Sequence, residues 1–305
     1  MKSIFKIALY LLVPLSASGQ LAPVSDHYIL NPLTINPAYA GSREALNIAA
    51  FYRRQWVGVP GAPETMTLTA DALLWNGKVG LGIIIVNDKI GVTKETSFKS
   101  DYSYKISIGK GNISFGLGAG LKTTNTNWSK LVVLDPGDDY YLLPSKVFLV
   151  PDFSFGLYYT NLKYYLGVSI PNLIGYKYNF DKEGYSLKIN PHQYLYLLNS
   201  GYIFDIGSKT KFLPSTLIYY SPGEKLQYDI NAHFSFFDRF WMGGSYRSTQ
   251  SVAGLFQFAV NNQFKVAYSY NFDFSKLGKY NSGSHEIMIR YEFRYKVNIV
   301  SPLSF

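Results

Sequence analysis

The sequence predicts an all-β protein, an antiparallel transmembrane β-barrel of about 14 strands with short turns on one rim and longer loops on the other. Three observations predict it: an export signal at the start, hydrophobic residues that alternate with period two, and an aromatic-rich composition without cysteine.

The opening MKSIFKIALYLLVPLSASGQ sets Lys2 and Lys6 ahead of an apolar run from Ile7 to Leu15, followed by the small residues Ala17 and Gly19. Cleavage is expected after Gly19, which makes 1–19 a signal peptide and Gln20 the first mature residue. The apolar run is too short for a spanning helix, and nothing after it reaches the ~18 to 20 apolar residues that one needs. A helical inner-membrane protein is excluded on that ground. The chain has Cys 0, so lipid attachment through cysteine, a disulfide framework and a cysteine–metal site are all excluded.

With Tyr 27 and Phe 21, aromatics reach 17% while charged residues stay at 16%, beside Gly 26 and a mean hydropathy of −0.01. A lipid-exposed barrel needs that mixture, because its wall alternates apolar and polar residues and sets rings at both water interfaces. The net charge of +9 is spread along the chain without a long basic run, which argues against nucleic acid as a partner.

The alternation is cleanest near the C-terminus. Phe264, Val266, Tyr268, Tyr270, Phe272 and Phe274 alternate with Lys265, Ala267, Ser269, Asn271, Asp273 and Ser275. Ile287, Ile289, Tyr291, Phe293 and Tyr295 repeat the pattern, as do Tyr228, Ile230, Ala232, Phe234 and Phe236. A soluble sandwich would use more Val, Leu and Ile; a Tyr and Phe face at this density resembles a membrane girdle. The same pattern gives strands near 44–56, 64–75, 78–88, 95–108, 111–125, 151–160, 163–171, 192–205, 210–221, 225–237, 240–249, 251–261, 263–275 and 284–296. Barrel 44–296 is therefore one domain, followed by a tail, 297–305.

The links WNGK, GKGN, TNLK, GSKT, FDR and NNQ carry Asn, Gly, Ser or Asp where a tight turn needs positive backbone angles. Longer links lie between them, notably 126–150 and 172–191. An even strand number puts both chain ends on the periplasmic rim with the tight turns, and the long links outside. Strands ~4.8 Å apart and tilted ~40° enclose a radius of about 14 Å, of which roughly 8 Å stays open after side chains. Residues 20–43 are the expected filler. Prolines 23, 32 and 37 argue against a strand there, and the segment reads as a plug or periplasmic lid.

Candidate chemistry is sparse. His27, His192, His233 and His285 are scattered without a partner at metal-ligand spacing. Ser284 and His285 are adjacent and so point to opposite faces of a strand, which argues against a catalytic pair. Asp135, Pro136, Gly137, Asp138 and Asp139 lack the ligand ladder of a calcium loop and read as a solvated turn. The glycines from Gly116 to Gly120 alternate with Leu117 and Ala119, as strand glycines that make room on the inner face. No catalytic, cofactor-binding or metal site is expected. Inward positions carry both signs, with Asp71, Asp101, Asp229 and Asp273 beside Lys99, Lys105, Lys122, Lys265 and Arg290. They suit either internal ion pairs or a hydrated wall. Link 126–150 gathers Trp128, Leu131, Val133, Tyr140, Tyr141 and Leu143, an apolar cluster that fits either a protein partner site or a lid folded over the mouth.

The segments NPLTINPAYAGS (31–42), YRRQWVGVPGAPETMTLTAD (52–71), VGLGIIIVNDKIGVTKET (79–96) and SIPNLI (169–174) occur in that order. Together they resemble the PorP/SprF family of the type IX secretion and gliding machinery of Bacteroidota. The resemblance covers roughly residues 26 to 175, with a generic barrel likeness beyond. It implies a non-enzymatic outer-membrane barrel that supports export or surface anchoring of a secreted protein or adhesin, cargo of the kind that carries a C-terminal sorting domain, or that works with periplasmic ring or motor components. Its N-terminal motif falls on Asn31, Pro32, Asn36, Pro37, Tyr39 and Gly41, which read equally as a rigid approach to the first strand or as a partner site. The competing readings are an outer-membrane channel or transporter for small or hydrophobic solutes and, more remotely, a lipid hydrolase.

Overall fold

A computed structural model of the chain describes residues 24–43, 45–74, 77–127, 147–179 and 184–293. The expected signal peptide, the apolar cluster Trp128 to Leu143, the acidic turn Asp135 to Asp139 and the tail 297–305 lie outside the described residues.

The first half of the wall consists of β1 (Leu46–Arg54), β2 (Glu64–Leu74), β3 (Val79–Ile90), β4 (Thr93–Ile108), β5 (Gly111–Thr126), β6 (Phe148–Asn161) and β7 (Tyr164–Ile170). A separate two-stranded hairpin follows, β8 (Gly175–Asn179) against β9 (Gly184–Lys188). The second half is β10 (Tyr196–Tyr202), prolonged by the two-residue β11 (Phe204–Asp205), then β12 (Thr210–Tyr220), β13 (Gln227–Phe236), β14 (Phe240–Arg247), β15 (Ser251–Ala259), β16 (Phe264–Asp273) and β17 (Ser284–Phe293). Neighbours in sequence pair antiparallel, β10 bridges β7 to β12, and β1 meets β17 in the register Leu46↔Phe293. The wall is a closed 14-strand barrel. Closure leaves no unpaired edge, the condition a β-structure must meet inside a bilayer.

Side chains alternate as the pattern requires. On β16, Tyr268, Tyr270 and Phe272 are exposed, whereas Lys265, Ala267, Ser269 and Asn271 are buried. On β17, Ile287, Ile289, Tyr291 and Phe293 face out, and Glu286, Met288, Arg290 and Glu292 face in.

One rim carries the tight turns at 75–78, 109–110, 162–163, 206–209, 237–239 and 260–263. Gly109 at φ 58°, Phe237 at 55° and Asp238 at 54° supply the left-handed backbone that two of them use. The opposite rim carries the links 55–63, 127–147, 171–195, 221–226 and 274–283. Two links on that rim, 91–92 and 248–250, are nevertheless tight. Within 171–195 the chain is not irregular throughout, since the β8–β9 hairpin is set into it.

Candidate functional site

The interior is where the described residues concentrate their polar chemistry. Three 3₁₀ turns, Asp26–Ile29, Pro32–Thr34 and Pro37–Tyr39, make up most of a segment that runs inside the wall. Proline at the first position of two of these turns fixes φ where no amide donor is needed. Ser25 caps the first turn by accepting from the His27 amide, and Asn36 caps the third by accepting from the Ala38 amide at 2.9 Å.

The segment crosses from one rim to the other. Near the long-link rim, Arg53 donates to the Val24 carbonyl at 2.7 Å and the Asp26 amide donates to Glu286 at 3.0 Å. The Ser25 hydroxyl donates to the same Glu286 carboxylate. Asp26 also accepts from Arg247 and from Asn271, each at 3.2 Å. Midway, Asn231 donates to the Tyr28 hydroxyl and Asn31 donates to Thr69, both at 2.8 Å. The Leu30 carbonyl accepts from Arg290 at 2.5 Å and from Arg43 at 2.6 Å. Asn36 donates to the Leu157 carbonyl at 3.0 Å, and Ser169 donates to the Ile35 carbonyl at 2.6 Å. Near the tight-turn rim, Ser103 donates to the Ala40 carbonyl at 2.7 Å and the Gly41 amide donates to Asp71 at 3.0 Å. There Arg43 bonds Glu292 at 3.0 Å, just before β1 begins.

These bonds reach β1, β2, β4, β6, β7, β13, β14, β16 and β17, so the segment is held from around the circumference. Its apolar side chains Tyr28, Ile29, Leu33, Ala38 and Tyr39 form the centre of the buried core. Two backbones approach closely enough to exclude a side chain. A Cβ on Gly116 would stand 2.1 Å from the Ala38 amide nitrogen, and one on Gly41, whose φ is +70°, 2.8 Å from the Gly80 Cα. The expectation that the Gly116 run opens space on the inner face thus acquires a specific occupant, the third 3₁₀ turn.

Of the inward charges read from the sequence, Asp71, Asp101, Asp229, Lys265 and Arg290 are buried. Asp71 accepts from Asn47 at 2.8 Å, Asp229 from Arg247 and Tyr219 at 3.0 Å, and Lys265 lies 3.3 Å from Glu292. Lys122 pairs with Glu95 at 3.0 Å nearer the long-link rim, and Asp273 lines a polar cavity at that mouth together with Val24, Gln55 and Trp56. A hydrated wall therefore does not describe this part of the barrel. An unpaired buried charge is costly, and the inner segment adds partners to two of these, the Gly41 amide to Asp71 and the Leu30 carbonyl to Arg290, while Asp229 and Lys265 are paired within the wall and the Asp101 carboxylate has no hydrogen bond among the described residues.

The motif residues Asn31, Pro32, Asn36, Pro37, Tyr39 and Gly41 are all buried in this segment. The histidines do not converge. His27 is buried with Nδ1 3.7 Å from Glu286, His233 stacks on Trp241 at 4.6 Å, His285 meets the Tyr268 hydroxyl at 2.7 Å, and His192 sits on the link before β10. Ser284 accepts from the Trp56 amide at 3.2 Å on the face opposite His285.

Sequence reasoning did not single out Asp26, Arg43, Arg53, Arg247, Glu286 or Glu292 as members of one network. Glu286 and Glu292 were visible as acidic residues at inward positions, but their partners lie up to 261 positions away. A second difference concerns direction. The described chain begins at Val24 on the long-link rim, not on the tight-turn rim that strand parity assigns to both ends, because the inner segment traverses the barrel before β1 starts.

Comparison with known proteins bears on both the sequence and the fold. The family described as type IX secretion system membrane protein PorP/SprF matches residues 17–291. No curated protein matches the chain. Among solved structures, the CymD monoaromatic hydrocarbon channel is similar at 13% identity and TM-score 0.53, over 92% of this chain and 96% of that one. The outer membrane protein Omp33 of Acinetobacter baumannii aligns at 8% identity and TM-score 0.48, over 84% of this chain and all, 100%, of that one. The KdgM porin aligns at 9% identity and TM-score 0.41, over 82% and 100%. At such identities the CymD likeness speaks for the fold alone.

Proposed function

The chain belongs to the PorP/SprF family of type IX secretion system membrane proteins, and from that membership we propose a closed outer-membrane platform that supports export or surface retention of a secreted partner protein. The observation that carries the reading is the occupied interior. A conduit needs a continuous aqueous or apolar path, whereas here residues 24–43 lie between the rims, bonded to strands on every side. We read this segment as a plug. A wall that turns Tyr, Phe, Ile and Leu outward supports an outer-membrane location, and in this reading the tight-turn rim faces the periplasm.

Partner contact belongs on the long links in this reading. The apolar cluster of Trp128, Leu131, Val133, Tyr140, Tyr141 and Leu143 is the proposed contact surface for a secreted cargo or adhesin, outside the described residues. The buried motif from Asn31 to Gly41 acts as a fold determinant rather than a contact surface, since side chains enclosed by the wall touch no partner outside. Periplasmic ring or motor components would meet the opposite rim.

Export through this protein's support and conduction through its lumen predict different measurements. Deleting the gene should strip one large secreted protein from the cell surface while other secreted proteins remain, and the purified barrel in planar bilayers should show no steady conductance. Steady conductance from the purified barrel, with every secreted protein still in place in the deletion strain, would favour a channel and overturn the proposal.

A further inference from the structure

The two rims differ in charge. Of the six tight turns, five carry a cation: Lys78, Lys110, Lys163, Lys209 and Arg239. Lys105 and Lys211 lie just inside the same rim, and the exposed carboxylates there are Asp205 and Asp238. Those carboxylates are already engaged, Asp205 by Lys163 and Asp238 by Lys211 at 3.2 Å. The bond to Asp205 also raises the Lys163 pKa above its ordinary value, so this ammonium is held in its charged, paired form. Lys78, Lys110, Lys209 and Arg239 are exposed and make no ion pair among the described residues. The opposite rim mixes both signs: Arg54 lies against Glu64 at 3.7 Å, Lys122 against Glu95 at 3.0 Å and Arg247 against Asp26 and Asp229, while the exposed Lys89, Lys94, Lys225 and Lys276 each have a carboxylate close by in sequence, Asp88, Glu95, Glu224 and Asp273.

Depth tells what the free cations face. Directly beneath the tight-turn rim stands an outward belt of Tyr104, Tyr164, Tyr202, Phe204 and Phe240, all exposed. Rings of this kind settle at the boundary between hydrocarbon and headgroups. Arg239 stands beside Phe240 and Lys78 beside the Val79↔Tyr104 pair, at the level of lipid phosphate, while Lys110 and Lys209 stand just past the further outward residues Ile108 and Ile206. The turns also expose apolar residues next to the charges: Ile108 near Lys110, Ile206 near Lys209, and Phe237 near Arg239. Lys209 lies over the Phe237 ring, 5.7 Å from its centroid. Apolar groups that dip toward acyl chains beside cations at phosphate level form an amphipathic interface, whereas a rim built for an acidic protein would have no use for exposed Ile206 and Phe237 at membrane depth.

We propose that the tight-turn rim is a collar for anionic phospholipid, in which Lys78, Lys110, Lys209 and Arg239 bind headgroup phosphates and the neighbouring apolar residues seat the acyl chains. The proposal rests on the barrel spanning a membrane and not on its role in secretion. Each cation near an anionic surface adds to the attraction, and the combined effect falls with salt.

Native mass spectrometry of the intact protein, exchanged from detergent into mixed phosphatidylglycerol and phosphatidylcholine, reads the lipids that stay bound. The wild type should retain phosphatidylglycerol preferentially, and Lys78→Gln, Lys110→Gln, Lys209→Gln and Arg239→Gln combined should reduce that retention at least about tenfold. The matched set Lys89→Gln, Lys94→Gln, Lys225→Gln and Lys276→Gln on the other rim should leave it unchanged. If the fourfold variant fails to assemble, Lys110→Gln and Lys209→Gln singly should each lower retention, because both replace exposed turn residues. Equal retention in wild type and rim variants overturns the proposal, as does an equal loss in the matched set. Displacement of the bound lipid by millimolar inorganic phosphate would show a free-phosphate site instead. Loss of an acidic co-purifying protein with lipid retention intact would show a protein surface instead.

Discussion

Arg43 bonds the Glu292 carboxylate at 3.0 Å and the Leu30 carbonyl at 2.6 Å, so a single guanidinium ties the inner segment both to itself and to the last strand of the wall. Both side chains are almost fully buried. Arg43→Met should therefore leave Glu292 with Lys265 as its main counter-charge and cost about 3 to 5 kcal/mol, the range for breaking one side of a buried pair. The measurement is the temperature at which the folded band disappears in a heat-modifiability gel. Arg43→Met with Glu292→Gln should cost clearly less than the sum of the two single changes. Strict additivity would show that the pair does not couple the segment to the wall.

Close approach of the segment predicts a contrast between glycines. Gly116→Ala sets a Cβ against the Ala38 backbone, where nothing flexible can yield, and should cost about 1 to 3 kcal/mol or displace the segment. Gly254 faces outward, and a Cβ added there would meet no heavy atom within 4 Å, so Gly254→Ala should be neutral or slightly stabilising. Limited proteolysis of the folded barrel would report the displacement, and equal behaviour of the two variants would contradict it.

Alternation on β16 predicts a second pair. Tyr268 faces lipid, and Tyr268→Lys should cost ~2 to 4 kcal/mol near mid-membrane. Its neighbour Ser269 is fully buried and its hydroxyl has no hydrogen-bond partner among the described residues. Ser269→Ala should be tolerated, whereas Ser269→Lys should also block assembly, because no room remains for the longer chain. From the sequence alone an inward lysine at 269 looks acceptable, since alternation reveals a polar face without revealing what is packed against it.

Rim assignment is tested by impermeant thiol reagents on intact cells. Cysteine at Val24 should label with cysteine at Glu224, Asp138 and Glu183, while cysteine at Lys110 or Asn262 should not. Labelling of Val24 with the second set would contradict the path of the inner segment. Labelling of only the second set would reverse the barrel in the membrane.

Replacement of Asn127 to Ser145 by a short Gly-Ser linker should leave a correctly inserted, heat-modifiable barrel, because the strand pairings run through Thr126 and resume at Phe148, and the Asn127 amide that donates to the Val92 carbonyl at 3.0 Å is a backbone group the linker also supplies. Surface retention of one secreted protein should be lost. Normal insertion with every secreted protein at its usual level would remove this link as the partner surface.

How much of this was legible follows from the physics of each part. The wall strands were, since a pleated surface between lipid and a packed interior writes a period-two pattern into residues such as Tyr268 and Ser269. The β8–β9 hairpin was not: at five residues per strand, Gly175–Asn179 and Gly184–Lys188 are too short for alternation to stand out. The inner segment announced itself by its prolines but not its course, because 3₁₀ turns have no long period and its bonds are individual. Asp26 with Arg247 and Arg43 with Glu292 join residues 221 and 249 positions apart, a distance over which local pattern carries no information.

The path of the inner segment also sets an order of events during biogenesis. A continuous ring of interstrand hydrogen bonds surrounds Val24 to Arg43, and the seam between β1 and β17 is the pairing that completes it. Backbone laid inside a sealed ring was either inside before the seal or drawn in afterwards by its free end. Glu286, Arg290 and Glu292 on the seam strand all bond to that segment, so the leading part of the chain is positioned to wait for the trailing part and to register it. Residues 24–43 thereby offer the surface, like a mandrel, against which the last strand finds its register.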